Sequence, residues 1–212
     1  MKNGIIFDLD GTLWDSAYMV VKAFNDEIRN YPEVNFTLTE EMLKSQMGKT
    51  AEEIARVFFP DLSAEKGMYF MKVCNDRECA YLTEFGGKLY PQLKETLCWL
   101  KENDIHLYLV SNCGDDYIQA FLSAHQMKDI FEDTECHGKT GLFKGENIRL
   151  IMQRNFIDKA CYVGDTQGDC NATRYAEIPF VYAKYGFGNV TAPDYTINTF
   201  SEIMDISKTI FS

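Results

Sequence analysis

The stretch Gly4-Ile5-Ile6-Phe7-Asp8-Leu9-Asp10-Gly11-Thr12 decides the fold that we predict for this chain of 212 residues. It opens with a continuous apolar run, which is typical of a parallel strand buried on both faces of a sheet. The run stops at Gly11, where a glycine permits a sharp turn. We therefore predict that the first strand runs over residues 4–10 and carries Asp8 and Asp10 at its carboxyl end.

The segment after this strand has helical periodicity throughout. Between Asp15 and Thr83, apolar residues recur at helical spacing, and no strand is predicted. Thr37 with Glu40, and Thr50 with Glu53, have the spacing of capping boxes that begin helices. The segment therefore predicts a small helical domain placed directly after the first strand.

From Phe85-Gly86-Gly87 onward, helices and strands alternate. Repeated βα units favour a mostly parallel sheet with helices on both faces. We predict an α/β fold with a Rossmann-like core formed by 1–14 and 86–212, and an all-helical cap domain over 15–85. The predicted strands of the second part are 105–111, a weak one at 133–136, 160–164, 180–183 and 195–197; the helices are 91–103, 116–125, 146–155 and 200–210.

Charge and composition exclude several classes of protein. The net charge is −11, and so acidic a surface repels nucleic acid as well as small phosphates. A phosphate ligand would therefore need a metal ion and a few well-placed cations. The apolar runs are far shorter than the roughly 20 residues of a membrane span, and no secretory signal is evident. The 7 cysteines form no CxxC pair, which indicates reduced thiols without a zinc site in a cytoplasmic protein.

Polar residues follow several predicted strands at their carboxyl ends, where parallel sheets bind ligands. Asp8, Asp10 and Thr12 follow the first strand, Ser111-Asn112 the second, and Asp165 a later one, with Asp169 just beyond; Lys144 precedes a helix. Each alone would be an ordinary cap, turn or loop residue. Their joint occurrence at strand ends indicates a site.

Asp8 and Asp10 are two residues apart, so their side chains would leave an extended chain on the same side. Two carboxylates placed together repel each other, and a divalent cation removes the conflict. Oxygen ligands of this kind favour magnesium. Asp165 would add a further carboxylate from another strand end.

These residues resemble the motifs of the haloacid dehalogenase superfamily. The stretch from Asp8 to Leu13, DLDGTL, resembles the first motif, Ser111-Asn112 the second, Lys144 the third, and the stretch from Gly164 to Asp169, GDTQGD, the fourth. The resemblance covers the whole chain and includes a helical cap after the first strand. The chain looks like the branch that contains phosphoglycolate phosphatases and beta-phosphoglucomutases.

The resemblance implies a magnesium-dependent phosphatase that hydrolyses a small phosphorylated metabolite through an aspartyl-phosphate intermediate. Asp8 would be the nucleophile, and Asp10 would protonate the leaving oxygen and later activate water. Lys144 would offset the charge on the phosphoryl group. The phosphate-binding residues implied are Thr12, Ser111 and Asn112, and the metal residues are Asp8, Asp10 through its backbone carbonyl, Asp165 and Asp169; Asp169 would support the water shell of the metal or orient Lys144.

Two assignments have competitors. Many relatives have proline after the lysine of the third motif, whereas Gly145 follows Lys144, so Lys139 is an alternative. Lys49 lies between two predicted cap helices, where the resemblance implies contact with the leaving group, but a solvated turn is the alternative. For the whole protein, the alternatives are a phosphosugar mutase that uses the same aspartates and a non-catalytic regulator that binds a phosphorylated ligand. The regulator is disfavoured because it should have lost Asp8 or Asp10.

Overall fold

A computed structural model describes residues 1–32 and 34–212 of the chain. The strands are β1 (Asn3–Phe7), β2 (Trp14–Asp15), β3 (Lys88–Leu89), β4 (Ile105–Ser111), β5 (Asp133–Cys136), β6 (Lys159–Gly164), β7 (Phe180–Ala183) and β8 (Tyr195–Ile197). The helices are α1 (Ala17–Ile28), α2 (Glu40–Lys44), α3 (Ala51–Phe58), α4 (Ala64–Phe85), α5 (Leu93–Glu102), α6 (Asp115–Ala124), α7 (His137–Thr140), α8 (Lys144–Arg154), α9 (Gln167–Ala176) and α10 (Ile203–Phe211), with a 3-10 turn at Phe200–Glu202.

The central sheet has the strand order β5-β4-β1-β6-β7-β8, and its pairings are parallel. β1 lies in the middle, where Ile5 is opposite Leu107 of β4 and Cys161 of β6. The predicted α/β fold with a mostly parallel sheet is therefore confirmed. β1 itself ends at Phe7, earlier than predicted. The Asp8 N–H still donates to the Val163 carbonyl, and the chain turns after this residue.

The alternation of side chains along β1 divides the core between the two faces of the sheet. Ile5 and Phe7 lie in one buried cluster, which includes residues of α5, α6 and α10. Ile6, between them, lies in the other cluster with residues of α8 and α9. All three side chains are fully buried, which explains why the first strand is continuously apolar.

The helices α1 to α4 are called here the helical block. The chain enters and leaves this block at neighbouring points. α4 packs against both α1 and α3, and Phe24 of α1 meets Phe58 of α3 with ring centroids 6.0 Å apart. Asp15, predicted to begin the helical segment, instead belongs to β2, which pairs antiparallel with β3. The two ends of the block are thus held side by side by a short ribbon. The division into a core and a cap domain stays a prediction.

The two predicted capping boxes have different outcomes. Thr50 and Glu53 form one, with the Glu53 carboxylate accepting from the Thr50 N–H at 2.8 Å, so this prediction is confirmed. The box predicted for Thr37 is wrong, because α2 begins at Glu40 and its cap is the residue before it, Thr39. The Thr39 hydroxyl accepts from the Met42 N–H at 3.2 Å.

Within residues 1–32 and 34–212, no helix has both the length and the apolar character needed to cross a membrane.

Candidate active site

Three buried aspartates meet beyond the carboxyl ends of β1 and β6. Asp8 follows β1, Asp165 follows β6, and Asp169 lies in the first turn of α9. One carboxylate oxygen from each lies within 4.8 Å of the others. The fold therefore brings Asp8 together with Asp165 and Asp169, which lie more than 150 residues later in the sequence.

Lys144 reaches this cluster, whereas Lys139 does not. Lys144 is the first residue of α8, and its ammonium lies 2.9 Å from Asp8 Oδ1 and 2.6 Å from Asp169 Oδ1. The Lys139 side chain is 52% exposed and lies 3.8 Å from Glu135. The geometry thus favours Lys144 over its competitor as the cation of the site.

Burial and the neighbouring charges together shift the pKa values of the cluster. Burial raises the pKa of Asp8 to about 7, although Lys144 opposes the rise and Asp169 adds to it. Burial also raises the pKa of Asp165 to about 8, with further contributions from Asp169 and Asp8. Burial by itself would lower the pKa of Lys144, but Asp169 and Asp8 outweigh it and raise that pKa well above its ordinary value. One lysine among three carboxylates leaves the site short of positive charge.

The donor set fits a divalent cation. Asp165 Oδ2 accepts hydrogen bonds from the backbone N–H groups of Phe187 at 2.7 Å and Gly188 at 3.2 Å. Its second oxygen, Oδ1, is buried and has no hydrogen-bond partner in the described part of the chain. Buried polar atoms are rarely left unpaired, and an oxygen-only set of carboxylates is the chemistry of magnesium sites.

Two glycines let the backbone approach Asp165 closely. A Cβ at Gly11, whose φ is +76°, would lie 2.3 Å from Asp165 Oδ2. A Cβ at Gly186 would lie 2.4 Å from the Asp165 Cβ. Both distances are shorter than atoms tolerate, so these positions need glycine for the carboxylate to keep its place.

Asp10 has partners of its own outside the carboxylate cluster. Its Oδ1 accepts hydrogen bonds from the Ser16 hydroxyl at 2.6 Å and the Tyr117 hydroxyl at 2.7 Å. Burial raises the pKa of Asp10, while the bonds from Ser16 and Tyr117 oppose the rise. The carboxylate is therefore oriented by two hydroxyls, and the assignment of its backbone carbonyl to the metal stays a prediction.

The predicted phosphate-binding residues have different surroundings. Ser111 and Asn112 line a cavity together with Asp8 and Asp10. The Asn112 amide also donates to the Gly48 carbonyl of the helical block at 2.7 Å. Thr12 is fully buried, its hydroxyl has no partner within 1–32 and 34–212, and the structure does not place it among the cavity residues.

The cavity has a volume of about 800 Å³ and lies between the helical block and the carboxyl edge of the sheet. Lys49 lines it from the turn before α3, and its ammonium donates to the Gln46 side chain at 2.8 Å. Glu52 of α3 lies 3.6 Å from His137 of α7, a second contact between the block and the sheet side. The cavity thus joins the aspartates to residues of the block.

Some residues of the site escaped sequence analysis. Ser16 and Tyr117 showed no signal, because their contact with Asp10 depends on packing between distant segments. The loop 186–188 was also missed, although it carries a detectable signal. Its two glycines lie within five residues of the end of β7, at the edge of the sheet where ligands bind.

Comparisons with known proteins agree with this architecture. The sequence profile of the haloacid dehalogenase-like hydrolases matches residues 5–183. The phosphoglycolate phosphatase of Vibrio vulnificus strain YJ016 is 26% identical in an alignment 223 residues long. The alignment covers 95% of this chain and 94% of the relative.

Solved structures share the fold at lower identity. One, described as a predicted phosphoglycolate phosphatase from Haemophilus somnus 129PT, superposes with a TM-score of 0.83 at 23% identity and covers 98% of each chain. A beta-phosphoglucomutase from Clostridium difficile superposes with a TM-score of 0.78 at 17% identity, over 100% of this chain and 99% of its own. The resemblance predicted from the motifs, including its branch, is confirmed. This chain belongs to the haloacid dehalogenase-like hydrolases.

Proposed function

We propose that the protein is a magnesium-dependent phosphatase that hydrolyses a small phosphorylated metabolite in the cytoplasm through an aspartyl-phosphate on Asp8. The observation that carries the proposal is the position of Asp8, which is buried beside Lys144 and two further aspartates and lines a cavity. Membership of the hydrolase family and the phosphatase relatives support it.

Asp8 supplies the nucleophile. An oxygen of its carboxylate forms a bond to phosphorus while the bond from phosphorus to the ester oxygen breaks. Lys144, at 2.9 Å, holds Asp8 Oδ1 and fixes the direction of the carboxylate. Water then attacks the phosphorus of the intermediate, which releases inorganic phosphate and restores the Asp8 carboxylate.

Asp10 moves the protons of both steps. It protonates the departing ester oxygen, and it then takes a proton from the attacking water. Burial raises its pKa, which favours a carboxyl that holds a proton before the first step. The hydroxyls of Ser16 and Tyr117 stabilise the carboxylate that remains after donation and keep it pointing in one direction.

The remaining residues hold the phosphoryl group. Ser111 and the Asn112 backbone N–H would bind its oxygens, with Thr12 assigned to the same task, and Lys144 would offset charge. Asp8, Asp165 and Asp169 would hold magnesium with the Asp10 carbonyl, and the ion would shield the negative nucleophile from the negative phosphate. Asp169 also fixes Lys144, at 2.6 Å.

Removal of the metal tests this proposal. We expect phosphate release from acetyl phosphate to stop in EDTA and to return with Mg²⁺ more fully than with Ca²⁺. Calcium takes a larger and looser set of ligands, which spoils the alignment of nucleophile and phosphorus. Steady-state assays of the chelated protein with each ion added back measure this. Full activity after rigorous chelation would show that the aspartate cluster has another purpose.

Lys49 is expected to contact the leaving group. Lys49 lines the cavity, and within residues 1–32 and 34–212 its ammonium bonds only to Gln46, a partner that a ligand can displace. Lys49→Ala should lower kcat/KM for the natural substrate by roughly ten- to a hundredfold, the loss of one charge-assisted contact. The loss should be smaller for acetyl phosphate, because its small leaving group has few atoms that Lys49 could contact.

The matched control is Lys66→Ala, an exposed lysine in α4 of the same block. A screen of phosphorylated metabolites for phosphate release identifies the substrate to use. Equal losses on all substrates would indicate that Lys49 acts in the chemical step or in movements of the block. No loss on any substrate would indicate that Lys49 is a solvated turn residue without a role.

A further inference from the structure

A buried carboxyl group in the cavity has no role in the chemistry described above. Glu78 lies in α4 and is only 8% exposed, yet it lines the cavity together with Asp8 and Asp10. In the described part of the chain, its carboxyl group has no hydrogen bond and no ion pair. Asn75, one helical turn earlier, lines the cavity on the same side of α4.

This position is unfavourable for an unpaired carboxyl group. Burial, and then the negative charge of Asp10, raise the pKa of Glu78 to about 8. The hydroxyls of Ser16 and Tyr117 do not relieve it, because both are bonded to Asp10. A largely buried polar group without a protein partner costs free energy unless water or a ligand in the cavity supplies the partner. The group is therefore placed to accept a hydrogen bond from something that enters the cavity.

The charge of the cavity wall points to the kind of partner. Outside the catalytic aspartates, its acidic residues are Glu52, Glu65, Asp76, Glu78 and Asp116. The lysines of the wall are Lys49 and Lys72, and the Lys72 ammonium is paired with Asp76 at 2.7 Å. The Lys144 ammonium is already paired with Asp8 and Asp169. A cavity wall with this excess of negative charge repels a second anion and attracts cations and hydrogen-bond donors.

We propose that Glu78 selects the leaving group of the substrate, by accepting a hydrogen bond from a hydroxyl or ammonium group close to the ester oxygen and by disfavouring a carboxylate there. The inference rests on the proposed phosphatase function and extends it to the class of substrate. That class is the phosphate monoester of a polyol or an amino alcohol. The glycolate leaving group of phosphoglycolate does not belong to it.

Three phosphate esters of nearly equal size separate the possibilities. Phosphoethanolamine carries an ammonium group, 2-hydroxyethyl phosphate a hydroxyl, and 2-phosphoglycolate a carboxylate at the corresponding position. At about pH 9, above its raised pKa of about 8, the Glu78 carboxyl is ionised, and there we expect the wild-type protein with magnesium to show a kcat/KM at least roughly tenfold higher for the first two than for phosphoglycolate. The order of the first two tells whether a charged or a neutral donor is preferred.

Glu78→Gln assigns the selectivity to this residue. The amide has the same shape but no negative charge, so it should lower kcat/KM for phosphoethanolamine and raise it for phosphoglycolate. We expect the ratio of the two to fall by roughly 10- to 100-fold. Glu84→Gln, at an exposed position of α4, is the matched control and should leave the ratio unchanged. A structural defect would lower both rates together, whereas selection moves them in opposite directions.

The outcomes separate the two proposals. A wild-type preference for phosphoglycolate, or an unchanged ratio in Glu78→Gln, would overturn the role of Glu78 and leave the phosphatase standing. If Glu78→Gln does not fold, as judged by circular dichroism, the wild-type ratios decide alone. Failure to release phosphate from these esters and from acetyl phosphate would overturn the phosphatase function and the inference with it.

Discussion

Asp8→Asn is expected to lower phosphatase turnover by several orders of magnitude while the protein remains folded. An amide cannot attack phosphorus, so the first chemical step loses its nucleophile. The replacement has the same shape, and its oxygen can still accept the hydrogen bond that Lys144 donates to Asp8 Oδ1 at 2.9 Å. The loss should therefore appear in kcat and not in the fold.

Acetyl phosphate with magnesium is a suitable substrate for this comparison, together with circular dichroism and thermal melting of each protein. Asp104→Asn is the matched control, since Asp104 is exposed and has a positive φ of 57° that asparagine adopts readily. The control should retain full turnover. Near-normal activity in a folded Asp8→Asn protein would contradict the assignment of the nucleophile.

Lys144→Ala is expected to reduce catalysis far more than Lys139→Ala. The Lys144 ammonium is buried between Asp8 and Asp169, so its removal leaves unbalanced carboxylates and nothing to offset the phosphoryl charge. Breaking a buried ion pair also lowers the free energy of unfolding by about 3–5 kcal/mol. Lys139 is half-exposed beside Glu135, and such a pair contributes about 1 kcal/mol or less.

Measurements of kcat and of urea unfolding on both variants separate chemistry from stability. Lys144→Met keeps most of the volume of the side chain and serves as a second variant if the alanine protein does not fold. The reverse order of effects, with Lys139→Ala the more damaged enzyme, would move the third motif to Lys139.

The fold was predictable where local pattern and topology agree. The apolar run Ile5-Ile6-Phe7 predicts a strand buried on both faces, and the rule for parallel sheets then brings Asp8 and Asp165 to one edge. The capping box of Thr50 was also predictable, because it depends on residues three apart. At Thr37 the same rule failed, because a second threonine nearer to the helix provides the cap.

Contacts between distant segments could not be read from the sequence. Tyr117 and Asp10 are 107 residues apart, and their hydrogen bond exists only because α6 packs beside the end of β1. Glu78 looks like an ordinary helical glutamate until α4 folds over the cavity and buries it. The N–H groups of Phe187 and Gly188 are likewise brought to Asp165 by a loop whose path local periodicity does not predict.

Trapping of the phosphoenzyme tests the central claim most directly. In Asp10→Asn, acetyl phosphate needs no protonation of its leaving group, so Asp8 should still be phosphorylated, but water lacks its base. Acid quench during turnover, followed by peptide mass spectrometry, should locate a phosphoryl group on Asp8 that accumulates more in Asp10→Asn than in the wild-type protein. A phosphoryl group on another residue, or Asp10→Asn protein that turns over acetyl phosphate without phosphorylation of Asp8, would contradict the mechanism.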